Sequence, residues 1–313
     1  MNPIRNILVI VDPTAEQHPA VEKGALLAQQ LDARLELYVC DTKAAREVRI
    51  AAHTRSHAAQ EPFVIDLKSM IEELARPLRE RGLDVTTEVE CGDPLHVALI
   101  DRAKRTTADL IVKDTHHHSF AQRTFITNTD WHLIRACPVS LLLTKPFRWA
   151  SVPRIFAAVD PGHANDKPAV LDNRIMDCAS LLAKRLRGEL HLLHVYLPAS
   201  IIAAAASGGP PAPIIPSEQE LAKEEAQRRE LLRDLITEYR VSDENVHLKV
   251  GGPAQVLPHM AGALRADIMT MGAISRSGLK RVFIGSTAED VLEHLPCDAL
   301  IIKPPDFASV LPF

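Results

Sequence analysis

The sequence is short of several features that would assign it to a ready class. Its five cysteines (Cys40, Cys91, Cys137, Cys178, Cys297) are odd in number, scattered, and never in C-x-x-C spacing. They read as reduced thiols and not as a disulfide framework. No apolar run approaches the roughly 20 residues needed to span a bilayer. There is no excess of positive charge either: 36 Lys and Arg stand against 40 Asp and Glu, a net charge of −4. Nothing in that balance points to nucleic acid or an anionic membrane as a partner. The strand-like run "RNILVIVDP" begins within a few residues of Met1, with no signal-peptide architecture. A Walker-type lysine motif, a nucleophile elbow and a dinucleotide fingerprint are all missing. These absences predict a soluble, cytoplasmic protein with no membrane span and no evident catalytic constellation.

What is present is repetition. At 313 residues, with 46% hydrophobic and 24% charged residues, the chain can build two ordinary cores. "RNILVIVDP" (Arg5 to Pro13) returns as "RIFAAVDP" (Arg154 to Pro161), and "ARLELYVCD" (from Ala33) as "GELHLLHVYLP" (from Gly188). "DVTTEVECGDP" (from Asp84) returns as "NVHLKVGGP" (from Asn245), "ADLIVKD" (from Ala108) as "ADIMTMG" (from Ala266), and "VSLLLTKP" as "DALIIKP". Each half therefore holds five apolar strands in the same order. Between them lie segments such as "PAVEKGALLAQQL", apolar at three- and four-residue spacing. Strand alternating with helix predicts an α/β fold, with mostly parallel, open-twisted, five-stranded sheets covered by helices on both faces. The halves are expected at 1–147 and 152–313, joined through "PFRWASVPR". The apolar final strands, "SLLLTK" and "ALIIK", would be exposed edges if each half stood alone. They are expected to pair within the chain as an internal pseudo-dimer, which can associate further as a homodimer.

The second half has a long crossover. "ASIIAAAASGGPPAPIIP" is too apolar for an ordinary linker and too interrupted by proline for one helix. It fits either a lid over a cleft or a loop packed on the sheet. The charged segment beginning near Ser217 reads as an amphipathic helix with a solvated face.

Near the end comes "GAISRSGLKRVFIGSTAEDVLEH", in which Gly272 directly follows a predicted strand. Ligands of open α/β sheets meet the chain at such carboxyl ends, and glycine lets phosphate approach the backbone without a Cβ in the way. Gly285, Ser286 and Thr287 precede a predicted helix whose free amides favour an anion. Gly278, Arg276, Lys280 and Arg281 lie between, the last three adding positive charge. The same residues also fit a turn at Gly272 and a helix cap at Ser286 and Thr287.

This stretch, closed by "PCDALIIKP", resembles the signature region of universal stress proteins. Nucleotide-binding members of that family carry a loop of the form G-x2-G-x9-G-S/T. Here the pattern is Gly272, two residues, Ser275, nine residues, Gly285-Ser286-Thr287, with serine in place of the middle glycine. "FITNTDWHLIRACPV" in the first half is similar to the matching stretch of tandem, E-type members, so the resemblance covers essentially the whole chain. It implies a fold of the adenine-nucleotide α-hydrolase kind and ATP bound in the C-terminal half. It also implies that Asp160, ending the first strand of that half, lies near the base, and that Val195 contacts the base through its backbone. By itself "DP" at Asp160 also fits a strand-ending turn. The resemblance permits slow ATP hydrolysis, but no residue presents itself as a general base.

In the first half the corresponding loop reads "DTHHHSFAQRTFITNT". Gly272, Gly278 and Gly285 are replaced by Asp114, Phe120 and Thr127, and Val195 by Cys40. Asp114 puts negative charge where phosphate would sit, so this half is expected not to take ATP. Because the first copy does without the glycines, those of the second are better explained by a ligand than by the fold. The histidines suggest another use. His116 and His118, with Asp114, follow the fourth strand, and His53 and His57 lie four apart on a helical period, which suits zinc or another divalent metal. The plainer alternative is a polar loop and two surface histidines.

The leading expectation is a stress-response protein that binds an adenine nucleotide and acts as a sensor or switch. The alternatives are a weak metal-assisted ATPase, or a carrier of a lipid-like ligand under the apolar segment.

Overall fold

The computed structural model describes residues 3–42, 61–92, 94–118, 123–162, 169–206, 216–272, 286–304 and 307. In the first half the strands are β1 (Asn6–Ile10), β2 (Arg34–Asp41), β3 (Val85–Cys91), β4 (Leu110–Asp114), β5 (His116–His118), β6 (Arg123–Phe125) and β7 (Ser140–Thr144). The helices there are α1 (Pro19–Leu31), α2 (Glu61–Glu80), α3 (Leu95–Arg105) and α4 (Asn128–Ala136). The second half has strands β8 (Arg154–Ala158), β9 (Glu189–Tyr196), β10 (Val246–Val250), β11 (Ile268–Gly272) and β12 (Asp298–Ile302). Its helices are α5 (Ala169–Leu186), α6 (Ala199–Ala206), α7 (Glu218–Glu238), α8 (Pro253–Ala263) and α9 (Ser286–His294).

The two expected five-stranded sheets are joined into one sheet of ten, in the order β10-β9-β8-β11-β12-β7-β4-β1-β2-β3. All neighbours are parallel except β12 and β7, which meet antiparallel with Leu300 opposite Leu142. That one antiparallel ladder makes the halves a pseudo-two-fold pair and removes two apolar edges. Strands such as "SLLLT" and "DALII" are apolar runs because both of their faces are covered. One face packs beneath α1, α2, α5 and α7. The other packs beneath α3, α4, α8 and α9. No helix among the described residues is long and apolar enough to cross a membrane.

Two buried lysines repeat this symmetry in polar form. Lys145, just past β7, donates to the Leu295 carbonyl at the end of α9, and Lys303, just past β12, donates to the Ile134 carbonyl in the last turn of α4. Each half thus sends a cation to the carbonyl-rich end of the other half's last helix, where the helix dipole favours it. Burial pushes both amines down to about 8.

Helix ends differ in a way that can be tested. Asp32, Thr107, Arg187, Arg240 and Arg265 end their helices in the left-handed region, with φ between 50 and 55°, whereas Gly82 does so after α2. Gly82 is the repeat counterpart of Arg240, which is exposed. A side chain in this conformation costs about 1–2 kcal/mol, and glycine returns about half of that to the unfolded chain as entropy. Arg240→Gly should therefore stabilise the protein by about 0.5–1 kcal/mol, measured as a raised urea midpoint at unchanged slope.

At the β10 edge, Phe156, His191 and His247 stack in series, with centroids 4.5 Å and 5.4 Å apart. His191 Nδ1 and His247 Nε2 are 3.1 Å apart, so one must donate and the other accept. Burial, and then the neighbouring His191, push His247 from the ordinary 6.5 to about 4. The folded state therefore takes this proton later than the unfolded state does. Stability should be constant above neutrality and fall as pH drops from about 6.5 toward about 4. His247→Gln should flatten that slope in urea titrations across this range.

Candidate functional site

In each half, strand order reverses between the first and fourth strands, which opens a cleft at their carboxyl ends. In the second half this lies between β8 and β11. Asp160 follows β8, and its amide donates to Asp172 Oδ1 of α5 at 3.1 Å. Val195 is half-buried near the end of β9. The Val159 amide donates to the Leu193 carbonyl at 3.1 Å, so the ends of these adjacent strands are fixed to one another. Gly272 ends β11, against α5. Ser286 and Thr287 open α9. Five of the nine expected nucleotide contacts thus lie on one sheet edge or at a helix start beside it. Ser275, Arg276, Gly278 and Gly285 lie outside the described residues, as do His53 and His57.

Residues not anticipated from the sequence complete this edge. His194 is buried and donates through Nδ1 to the Val159 carbonyl at 3.0 Å. Burial depresses its basicity, and its buried Nε2 has no hydrogen-bond partner among the described residues. Arg228 comes from α7, the helix read as a solvated face, and its guanidinium sits 5.3 Å over the Tyr196 ring. A Cβ on Gly162 would lie 2.9 Å from Arg228 Nη1 and 3.8 Å from Asp160 Oδ1, so the arginine fills space beside the acid. The apolar crossover is helical at its start, as α6, whose Ala199 amide donates to Glu224 Oε1 at 2.8 Å.

The expectation about the glycines needs correction at Gly272. A Cβ there would lie 2.7 Å from Leu171 Cδ2 and 3.0 Å from its Cγ. Packing of α5 on β11 therefore accounts for this glycine without a ligand.

The first half has the same cleft with different contents. Asp114 accepts from the Ala20 amide in the first turn of α1 at 2.8 Å and from the Thr144 hydroxyl at 2.7 Å. Burial pushes this carboxyl up, while those two donors pull it back down. At the start of α4, Thr127 and Asp130 form a reciprocal capping box, the Thr127 amide donating to Asp130 Oδ2 at 2.8 Å. Lys113 pairs with Asp130 at 2.9 Å. Both helix starts thus hold the chain's own carboxylates. The repeat counterparts of Lys113, Asp114, Asp130 and Thr144 are Met271, Gly272, Ala288 and Ile302, none of which carries charge.

The histidine segment is a short strand and not an open loop, since β5 pairs antiparallel with β6, His116 opposite Phe125. Asp114 is committed to α1. Among the described residues, no three His, Cys, Asp or Glu side chains gather closely enough to hold a metal ion.

The family profile described as "Universal stress protein family" matches residues 3–145 and 153–303, once per half. The chain belongs to the universal stress protein family. It is a tandem stress-response member: Universal stress protein E of Salmonella typhi is 26% identical over 310 residues, covering 97% of this chain and 96% of that one. The homologue from Haemophilus influenzae is 25% identical over 317 residues, covering 96% of this chain and 97% of its own length. Among solved structures, a protein of unknown function from Pseudomonas aeruginosa PAO1 superposes with a TM-score of 0.74 at 28% identity, covering 97% of this chain and 94% of that one. A universal stress protein from Archaeoglobus fulgidus shares the fold, with a TM-score of 0.65 at 14% identity over 95% of this chain and 98% of its own. The tandem universal stress protein thus carries two copies of one cleft, and the carboxylates that Asp114 and Asp130 bring to the first are absent from the matching positions, Gly272 and Ala288, of the second.

Proposed function

We propose that this protein binds one adenine nucleotide, ATP, in its C-terminal cleft and uses occupancy as a switch. The base lies near Asp160 and the Val195 backbone, and the phosphates lie over the loop that begins at Gly272 and ends at the start of α9. The observation that carries this reading is the contrast between the clefts. Helix starts attract anions, and the first half supplies its own at α1 and α4 through Asp114 and Asp130. In the second half the corresponding positions are Gly272 and Ala288, so neither of these two positions supplies a carboxylate and both leave room for an anion from outside. Ser286, Thr287 and Arg276 supply further donors in the sequence there. Nucleotide held between the loop and Asp160 would touch segments from β8, β9, β11 and α9 at once, which gives a switch the means to reorder that edge.

Turnover is not required by this reading. His194 is buried and bonded to the backbone, and Asp160 and Asp172 are tied to the β8–α5 connection. Calorimetric titration of the purified chain should give one ATP per chain. No heat and no thermal shift at millimolar ATP would end the proposal, and two ATP per chain would end the claim that the first half is closed.

A further inference from the structure

The linker joining the halves occurs once, so the pseudo-two-fold symmetry is broken along one edge of the molecule. There, residues 146–153 run between the amino end of α1 and the carboxyl end of α5, and the three segments enclose a groove of about 1040 Å³. It is separate from the C-terminal cleft, because α5 meets that cleft with its opposite end. Its size is at the upper limit of small-molecule sites.

The walls have a distinct chemistry. Phe147 and Trp149 come from the linker, and the Lys23 ammonium lies 5.0 Å and 5.5 Å from their ring centroids. Trp149 is anchored, its Nε1 donating to the buried Asp298 at 2.8 Å. Phe147 and Leu26 are large apolar side chains left exposed on this surface. Arg148, Arg185 and Arg187 also border the groove, exposed, and no described carboxylate lies within ion-pair distance of any of them. The opposing charges are Glu16 and Glu22 on the α1 side. Lys23 is already neutralised by Asp298, so three guanidiniums without an ion-pair partner among the described residues face two carboxylates. His18, at the start of α1, has a buried Nδ1 with no hydrogen-bond partner among the described residues.

We propose that this groove is a second ligand site, selective for a small organic anion with a flat apolar body, such as an aromatic carboxylate or sulfonate. The ring lies on Phe147 and Trp149, and the anionic group meets the arginines, which suit planar oxyanions and stack on rings. The site depends on the tandem fusion, because two unlinked halves would have neither aromatic. Since it touches both α1 and α5, its ligand would bear on the contact between the halves.

The chain has two tryptophans, so Trp131→Phe leaves Trp149 as sole reporter. Anilinonaphthalene sulfonate is titrated into that variant, following Trp149 quenching and energy transfer to the dye. The expected result is saturable binding at one dye per chain. Arg185→Glu with Arg187→Glu should weaken it at least ~10-fold, about 1.4 kcal/mol, and Phe147→Ser should weaken it similarly. Both sets of changes are at exposed positions, and circular dichroism checks that the fold is kept. ATP should not displace the dye, and Gly285→Asp should leave the titration unchanged. Absence of saturable Trp149 quenching, equal affinity in the arginine or Phe147 variants, or displacement by ATP would each overturn the proposal.

Discussion

Gly285→Thr combined with Ala288→Asp is expected to abolish ATP binding while leaving the fold at least as stable. The pair transplants the Thr127–Asp130 capping box from α4 to α9. The introduced hydroxyl would then accept from the amide of residue 288 and the introduced carboxylate from the amide of residue 285, as Thr127 Oγ1 accepts from the Asp130 amide at 3.2 Å and Asp130 Oδ2 from the Thr127 amide at 2.8 Å. Any phosphate arriving there loses charge-assisted hydrogen bonds worth about 1.5–3 kcal/mol each and meets a like charge. The dissociation constant should rise at least ~100-fold, about 2.7 kcal/mol. The cap itself should add about 1 kcal/mol to stability, so lost binding could not be blamed on unfolding. Calorimetry and urea denaturation on the same preparation separate the two effects. ATP affinity within a factor of about three of the parent, in a variant whose stability has risen as expected, would remove the start of α9 from the site. The reverse change, Thr127→Gly with Asp130→Ala, should not create a second ATP site. It leaves Asp114 on the Ala20 amide and strips Lys113 of its partner.

The clefts also show what the sequence could and could not carry. Repeated apolar strands reveal the fold, because parallel strands covered on both faces must be apolar along their length, and duplication doubles the signal. The start of α7 was legible for a local reason: Ser217 and Glu220 form a capping box within four residues. Gly272 could be placed at a strand end from local pattern alone, whereas Asp160 and Val195 were singled out only by what the family resemblance implies. Arg228 was not singled out, since helical periodicity says which face of α7 is polar but not that one residue on it lies over Tyr196 and against Gly162. Asp130 was overlooked although "TNTD" can be read as a cap, because its meaning appears only beside Ala288 in the other copy. Gly272 shows the converse limit. Comparing the copies pointed to a ligand, yet the side chain that excludes a Cβ there, Leu171, belongs to a helix distant in sequence. The first copy tolerates Asp114 at that place because its carboxylate caps α1.

The largest effect on stability is expected at Asp298, the polar start of a strand whose repeat counterpart is Ser140. Its carboxylate has no exposed surface and holds the junction of the halves from three sides. Lys23 of the first half donates to Oδ2 at 2.7 Å, Trp149 of the linker to the same oxygen at 2.8 Å, and the Lys145 amide to Oδ1 at 2.8 Å. Burial pushes the carboxyl upward, and Lys23, the linker indole and the amide hold it down. Asp298→Ala would leave an almost fully buried ammonium without this counter-charge, and would remove the carboxylate oxygens that accept from the Trp149 indole and the Lys145 amide. Removing one partner of such a pair costs about 3–5 kcal/mol, and the orphaned donors add to it. A loss of at least ~4 kcal/mol in urea unfolding is expected, with altered Trp149 emission in the folded baseline as the indole loses its bond. Asp298→Asn should cost less, since an amide oxygen can still accept from Trp149 or Lys145, but it cannot neutralise Lys23. Lys23→Met with Asp298→Leu removes both charges at similar volume and should recover most of the loss, because the buried pair's attraction is largely offset by its desolvation. If Asp298→Ala unfolds within about 1 kcal/mol of the parent, the junction is held by the β7–β12 ladder and its apolar faces alone. If the double variant is instead the less stable of the two, the ion pair contributes net stability beyond what burial of its surroundings supplies.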